Sequence, residues 1–320
     1  MRKHSGIGVR EIAKKLNLNI STVSRALNRS YHVSKETTEL VIRTANEMGY
    51  HKQYSRKCIV VLLPASGGVL AWYMVNLINA LQASLLRRDY YWEFIPNDRI
   101  EIIQERSISG IISIDYHGHI AREICEKYNI PLVCINDAPN HVDKVYSVNS
   151  DAASAIALAF GCLHDYGHRN IAYISTSGES VAAAQRKKAF LDIVSKRKLS
   201  DKCVFMNDNV KSYHGTVREL YLNGITAIIA EGESAGLSIY NSLINCNLSI
   251  PEKISLITWE LPYVSSMINP ALTTVEQNFS ELAEKAVLML DSLIRKESVT
   301  GDVIIPYKLH ERNSVSIPRE

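Results

Sequence analysis

No stretch of this 320-residue chain is a long unbroken apolar run. A membrane span needs roughly 18–20 such residues, so a transmembrane protein is excluded. The N-terminal stretch MRKHSGIGVREIAKKL is basic but lacks the apolar segment of a secretory signal, and export is not expected. Cysteine is sparse: Cys58, Cys125, Cys134, Cys162, Cys203 and Cys246 are scattered, and no two form a C-x-x-C pair. That spacing excludes a disulfide framework or a zinc ribbon and suits buried free thiols in a reduced compartment, the cytoplasm. The short Gly/Ser turns ASGGV and TSGES lack a Walker lysine and a G-x-G-x-x-G frame, which excludes the common nucleotide-binding signatures. No nucleophile elbow or paired-carboxylate motif is present, so neither an enzyme nor a bound cofactor is expected. Two histidine groups invite a metal reading: His164 with His168, four apart, and Asp115 with His117 and His119. Neither has a clear completing ligand, and no metal is expected.

Charge is present but unevenly spread. Residues 1–57 hold twelve Lys or Arg against four Glu, a net of +8 in a chain whose total is +3, which leaves −5 for the rest. A basic head on an acidic body points the head at a polyanion.

Within that head, GVREIAKKLNLNISTVSRALN reads as two short amphipathic helices. Val9, Ile12, Ala13 and Leu16 recur at helical spacing in the first. Asn17 suits the left-handed conformation that ends a helix, and Asn19 suits the cap of the next. The second turns Val23, Ala26 and Leu27 inward and leaves Ile20, Ser21, Thr22, Ser24, Arg25 and Asn28 outward. Ser34 caps a third helix with Leu40, Val41, Thr44, Ala45 and Met48 on its apolar side. Three short helices with a tight first turn match the DNA-reading helix-turn-helix.

The elements TVSRALN, VS-ET and the closing GY resemble the headpiece of the lac-repressor/galactose-repressor family of bacterial transcription regulators. The resemblance implies that Ile20, Ser21 and Arg25 read base edges, with Arg25 bidentate to a guanine and Ile20 against a thymine methyl. It places Thr22, Ser24, Asn28, His32 and Ser34 on phosphates, where they position the head without specifying sequence.

From Cys58 onward, strand and helix patterns alternate, which predicts an α/β body of parallel sheets flanked by helices. CIVVLLP, YYWEFIP, SGIISID and IPLVCIND read as strands, with a helix IAREICEKYN before the last. After Ser147 the pattern restarts with DAASAIALAFGCLHDYG, NIAYIST, SVAAAQRKKAFLDIVSK, KCVFMN, VRELYLNG, ITAIIAE, SAGLSIYNSLINCN and ISLITWE. A long helix, SELAEKAVLMLDSLIRKE, and one late strand, DVIIPYKL, complete the chain.

The resemblance runs on through YGHRNIAYIS, IPEKISLITWE and NPALTTVEQNFSELAEKAV. It implies a two-lobed core like that of periplasmic sugar-binding proteins, with a ligand between the lobes. The expected division is a head over 1–50, a linker over 51–57 and a core over 58–320. Its N-lobe spans about 58–149 plus 278–304, and its C-lobe about 150–277 plus 305–320. The family acts as homodimers on pseudo-palindromic double-stranded DNA operators, most often as repressors. Arg186 matches the arginine that often grips the effector. Trp72, Tyr73 and Trp259 are candidate walls for a planar face, with Asp115, Asn149, Glu233 and Glu260 as polar contacts. Asn149 stands where sugar binders usually carry an aspartate, Gly232-Glu233 replaces an Asn-Asp pair, and TWEL replaces a Gly-Phe-Asp-Asp segment. A sugar or sugar derivative, another metabolite, and a pocket that takes no effector all stay open. So does a small-molecule binding protein without DNA function, a reading that gives the basic head no purpose.

The linker departs too. His51–Lys57 is seven residues, at most about 25 Å when extended. Family members spend about twice that on a hinge helix whose leucine wedges into the minor groove and kinks the duplex. This linker has no leucine, and Lys52-Gln53 replaces the usual Pro-Asn. Lys52, Gln53, Arg56 and Lys57 are the expected DNA contacts here, on an operator that stays weakly bent.

Overall fold

The computed structural model describes residues 7–27, 33–50, 58–63, 72–105, 108–114, 125–126, 129–136, 146–175, 181–207, 213–299 and 301–318. Of the expected site residues, Asn28, His32, Lys52, Gln53, Arg56, Lys57 and Asp115 lie outside them. So do His117, His119 and most of the helix expected over IAREICEKYN.

Three helices open the chain: α1 (Val9–Leu16), α2 (Ile20–Leu27) and α3 (Lys35–Glu47). Asn17 ends α1 in the left-handed region, φ 52°, which asparagine tolerates better than most residues. At the other end the Glu11 carboxylate accepts the backbone N–H of Gly8 at 2.8 Å. The three helices share a core of their own. Ile12, Ala13, Val23, Ala26, Val41 and Ala45 are buried, with Val9, Leu16, Leu18, Leu27, Val33, Met48 and Tyr50 packed around them.

The chain as a whole divides into two compact units. The first holds Met1–Val69, Leu77–Asn149 and Ser280–Val303; the second holds Leu70–Asn76, Ser150–Phe279 and Ile304–Glu320.

The sheet of the first unit is built on β1 (Cys58–Leu63), β2 (Tyr91–Pro96), β3 (Gly110–Ile114), β4 (Leu132–Ile135), β5 (Tyr146–Ser150) and β11 (Asp302–Ile305), in the order β11-β5-β4-β3-β1-β2. Strands β1 to β5 pair in parallel, with Val60 opposite Ile111 and Ser113 opposite Cys134. A continuous apolar run such as CIVVLL is what a central parallel strand, covered on both faces, demands. Helix α4 (Trp72–Leu86) buries Leu77, Leu81 and Leu85 at four-residue spacing. Helix α9 (Phe279–Ile294) buries Leu282, Ala286 and Leu290. Gly110 admits Leu290 against the sheet: a Cβ at that glycine would lie 2.8 Å from Leu290 Cδ1. A nine-residue 3-10 segment, Asn97–Glu105, kinked at Arg99, follows β2 and has no counterpart in the sequence pattern.

The second unit repeats the plan with β6 (Ile171–Ser175), β7 (Val204–Asn207), β8 (Ala227–Glu231), β9 (Ser255–Trp259), β10 (Thr273–Glu276) and β12 (Lys308–His310), in the order β12-β10-β9-β8-β6-β7. Alternate residues of its strands enter two cores. Ile171, Tyr173, Ala227 and Ile229 pack with Phe160 of α5 (Ala152–Asp165) and Phe190 of α6 (Val181–Lys196). Ala172, Ile174, Ile228 and Ala230 pack with Val217 of α7 (His214–Leu222) and Ile239 and Leu243 of α8 (Glu233–Asn245). Helices on both faces are what make the all-parallel part of this sheet stable.

One expectation needs correction. The single late strand DVIIPYKL is two strands: Asp302–Ile305 belongs to the first sheet, and Lys308–His310 pairs antiparallel with β10 in the second. Pro306 stands between them and has no backbone N–H to give to a ladder. Strands β5 and β10 have no strand signature of their own, because YSVNS and TTVE are too polar to announce themselves.

Candidate DNA interface and effector site

Helix α2 sorts its residues cleanly. Val23 and Ala26 are buried in the head core, whereas Ile20, Ser21 and Arg25 are exposed. Ile20 is 51% exposed and places an apolar side chain on the outward face of the helix. Residues 21 and 25 are one helical turn apart and so share a face. Arg25 forms no ion pair among the described residues, and its guanidinium is available to a partner outside the chain. Thr22 and Ser24 are half-buried beside that face. Ser34 is occupied locally: its Oγ accepts the backbone N–H of Thr37 at 3.2 Å and donates to Thr37 Oγ1 at 3.0 Å. Around the head, exposed Arg10, Lys14 and Arg43 add positive charge.

The expected effector residues fall in both units. Asn149 belongs to the first. Its Nδ2 donates to Ser147 Oγ at 2.8 Å, and that hydroxyl donates to Asp302 Oδ1 at 2.6 Å. Asn149 Oδ1 is buried with no hydrogen-bond partner among the described residues. Trp72, Tyr73, Arg186, Glu233, Trp259 and Glu260 belong to the second unit. Trp72 is exposed at the start of α4, and the Tyr73 ring packs on Phe279 with centroids 5.8 Å apart. Glu233 opens α8, immediately after Gly232, whose φ of 112° few other residues adopt.

Arg186 is the centre of the second unit's polar network. Its side chain is buried, and Nε and one terminal nitrogen both donate to Glu231 Oε1, at 2.7 and 2.6 Å. The other carboxylate oxygen of Glu231 accepts the hydroxyl of Tyr173, a residue two positions earlier on the neighbouring strand than Ser175, which Glu231 opposes. Tyr307 shares hydrogen bonds with Arg186 and with Trp259, and the guanidinium carbon lies 5.7 Å from the Trp259 ring centre. Burial pushes the Glu231 carboxyl up and the Arg186 guanidinium down, since desolvation opposes both charges. Each charge is therefore held in place by the other. In the same unit, Glu260 accepts Arg312 at 2.9 Å and the hydroxyl of Thr274.

Glu231, Tyr173, Tyr307 and Arg312 were not singled out from the sequence. One signal was present for Glu231: a lone acid ending the apolar run AIIAE, at the C-terminal end of a parallel strand, where α/β sheets place ligands. The histidine pair resolves differently. His168 is buried and structural, bonding Thr226 Oγ1, Ser255 Oγ and the carbonyl of Ser316. His164 receives Arg197. No cluster of three metal-binding side chains occurs among the described residues.

Two family models match the chain: bacterial regulatory proteins of the lacI family over residues 9–53, and a periplasmic binding protein-like domain over residues 160–315. A curated relative, the HTH-type transcriptional regulator pepR1 of Lactobacillus delbrueckii subsp. lactis, is 24% identical and covers 96% of this chain and 97% of its own. Among solved structures, the lac repressor dimer bound to operator and the anti-inducer ONPF superposes with a TM-score of 0.67 at 19% identity, covering 98% of this chain and 100% of its own. A complex of the transcriptional regulator CelR with cellobiose gives 0.68 at 18% identity, covering 96% and 99%. No helix among the described residues is long and apolar enough to cross a membrane.

Proposed function

We propose that this chain, whose residues 9–53 match the lacI-family model and whose residues 160–315 match a periplasmic binding protein-like domain, is a DNA-binding transcriptional regulator that represses transcription from a pseudo-palindromic operator as a homodimer. The observation that carries this reading is the outward face of α2, where Ile20, Ser21 and Arg25 stand exposed on a basic head. Arg25 takes a guanine, Ile20 a thymine methyl, and Thr22, Ser24, Asn28, His32 and Ser34 the phosphates on either side. The head comprises residues 1–50. Lys52, Gln53, Arg56 and Lys57 of the linker track phosphates without wedging the duplex open, and the core over 58–320 carries the effector.

That effector is a small metabolite, and the ligands in the names of the solved relatives support a sugar or sugar derivative. Tyr73, Arg186, Trp259 and Glu260 contribute to its site in the second unit, together with Trp72 and Glu233. The protein works in the cytoplasm and turns nothing over: it is a switch, in which a ligand moves operator affinity only through unequal affinity for two states.

Gel-shift titration against genomic fragments, followed by footprinting, tests the reading. One fragment should bind far more tightly than the rest, and affinity should fall steeply with salt as phosphate counter-ions are released. Arg25→Ala should cost about 1–3 kcal/mol and relax preference at a single operator position. Equal weakening on operator and random DNA would show that Arg25 reads no base. A sharp central kink in a circular-permutation assay would overturn the unwedged linker.

A further inference from the structure

The buried cationic groups of the second unit are already satisfied from within. Arg186 gives two nitrogens to Glu231, and Arg312 is paired with Glu260. Arg186 is 8% exposed and Glu231 1%. An arginine whose Nε edge is empty is a fork for a carboxylate or a phosphate, which fit its parallel N–H bonds. Here a carboxylate of the chain itself stands on that edge, and Tyr173 holds the far oxygen of the same group.

We infer that Glu231 is a specificity-determining residue of this site: it fills the guanidinium fork of Arg186, so that the site takes an uncharged, hydroxyl-bearing effector and refuses carboxylates and phosphates. This rests on the proposal that the core binds a small molecule. The physical reason is a competition with no favourable outcome for an anion. To reach the fork it must displace Glu231, which then either stays a buried carboxylate without its counter-ion or has to take up a proton. To bind alongside, it must lie near Glu231, whose cation is already engaged. An uncharged ligand meets neither penalty. Its hydroxyls need only dipolar partners, and the half-buried faces of Trp259 and Tyr73 accept its apolar side.

The test uses the full-length chain and thermal unfolding, with acetate and inorganic phosphate as probes and chloride at matched ionic strength as the reference. Wild type should show no saturable stabilisation by either anion. Glu231→Ala vacates the fork, and acetate should then stabilise the variant saturably, by several degrees. Combining Glu231→Ala with Arg186→Gln should abolish that response. If Glu231→Ala does not fold, Glu231→Gln carries the same titration, with acetate affinity at least tenfold above that of wild type. Wild type stabilised by the anions, with the effect lost in Arg186→Gln, would show an open fork and overturn the inference. A folded Glu231→Ala protein that ignores acetate would overturn it as well. A second arm compares glucose and ribose with their phosphates on wild type. A phosphate binding as tightly as its parent sugar through Arg186 overturns the refusal of anions. If acetate behaves as expected while neither sugar shifts the wild type, then a wider screen of uncharged metabolites that also fails sinks the small-molecule reading and leaves the occupied fork standing.

Discussion

Arg88 grips Glu284 with two guanidinium nitrogens, one directed at each carboxylate oxygen. Arg87 adds a third bond at 2.6 Å and Ser84 a fourth at 2.8 Å. The acid sits on α9 and its partners on and just after α4, so this cluster fastens two helices far apart in sequence. Its ion pairs and hydrogen bonds, led by Arg88, hold the Glu284 carboxyl down at about 2. A carboxyl whose pKa is lower in the folded chain stabilises the fold above its ordinary value of 4.5 and loses that contribution as pH falls towards 2. Glu284→Gln should therefore cost about 1–3 kcal/mol at neutral pH, the range for hydrogen bonds to a charged group. Urea unfolding of both proteins from pH 7 to pH 2.5 checks this. The gap between them should narrow on acidification, and a gap that is constant with pH would show that the charge contributes nothing.

His168 should make the second unit acid-sensitive over a higher range. Burial lowers the pKa of this imidazole below its ordinary 6.5, favouring the neutral ring. The Ser316 carbonyl can only accept, so Nε2 carries the proton, and Nδ1 accepts from the Thr226 hydroxyl. Stability from a base with a lowered folded pKa is complete above 6.5 and is lost as pH falls below it. In wild type, stability should fall between pH 7.5 and pH 5 by more than it does in His168→Gln. Parallel curves would rule this titration out as the cause.

Ser34 separates capping from DNA contact. As an N-cap, its replacement by alanine should destabilise the head by about 1 kcal/mol, and by glycine only a few tenths. Phosphate contact predicts another pattern: both variants lose operator affinity to the same degree once stability is accounted for. Calorimetry and gel shifts on Ser34→Ala and Ser34→Gly measure the two effects independently.

The head core is small enough for one residue to decide it. Ile12 is fully buried among Ala13, Val23, Ala26, Val41 and Ala45. Truncation to alanine should cost about 2–5 kcal/mol. That is much of what so small a core supplies. Ile12→Ala should lose operator binding while the unfolding transition of the core stays within about a degree of wild type; a coincident shift of both would show that head and core unfold together.

Much of the architecture could be read in advance because it is local. The 3.6-residue period of α1 and α2, the asparagine at position 17, the unbroken apolar run of β1 and the mainly apolar runs of β3, β6 and β8 each announce one element within a window of a few residues. The misreadings lie where local chemistry is ambiguous. YSVNS and TTVE form strands through their neighbours rather than their own hydrophobicity, and DVIIPYKL looks continuous until Pro306 is weighed as a missing donor.

By itself, the amino-acid sequence determined the basic head and its helix-turn-helix, the alternation of strands and helices, and the resemblance to the lacI family. All of these depend on residue type and short-range spacing. The partner of Arg186 was decided only by the tertiary structure. Forty-five residues separate it from Glu231, and only the strand order β9-β8-β6, with α6 packed on one face, brings that acid, Tyr173 and Trp259 around one guanidinium. Burial then gives the contact its weight. In water Arg186 would be an open cation with many partners, whereas inside the folded unit desolvation makes leaving it unpaired so costly that it is held by Glu231, with Tyr307 beside it.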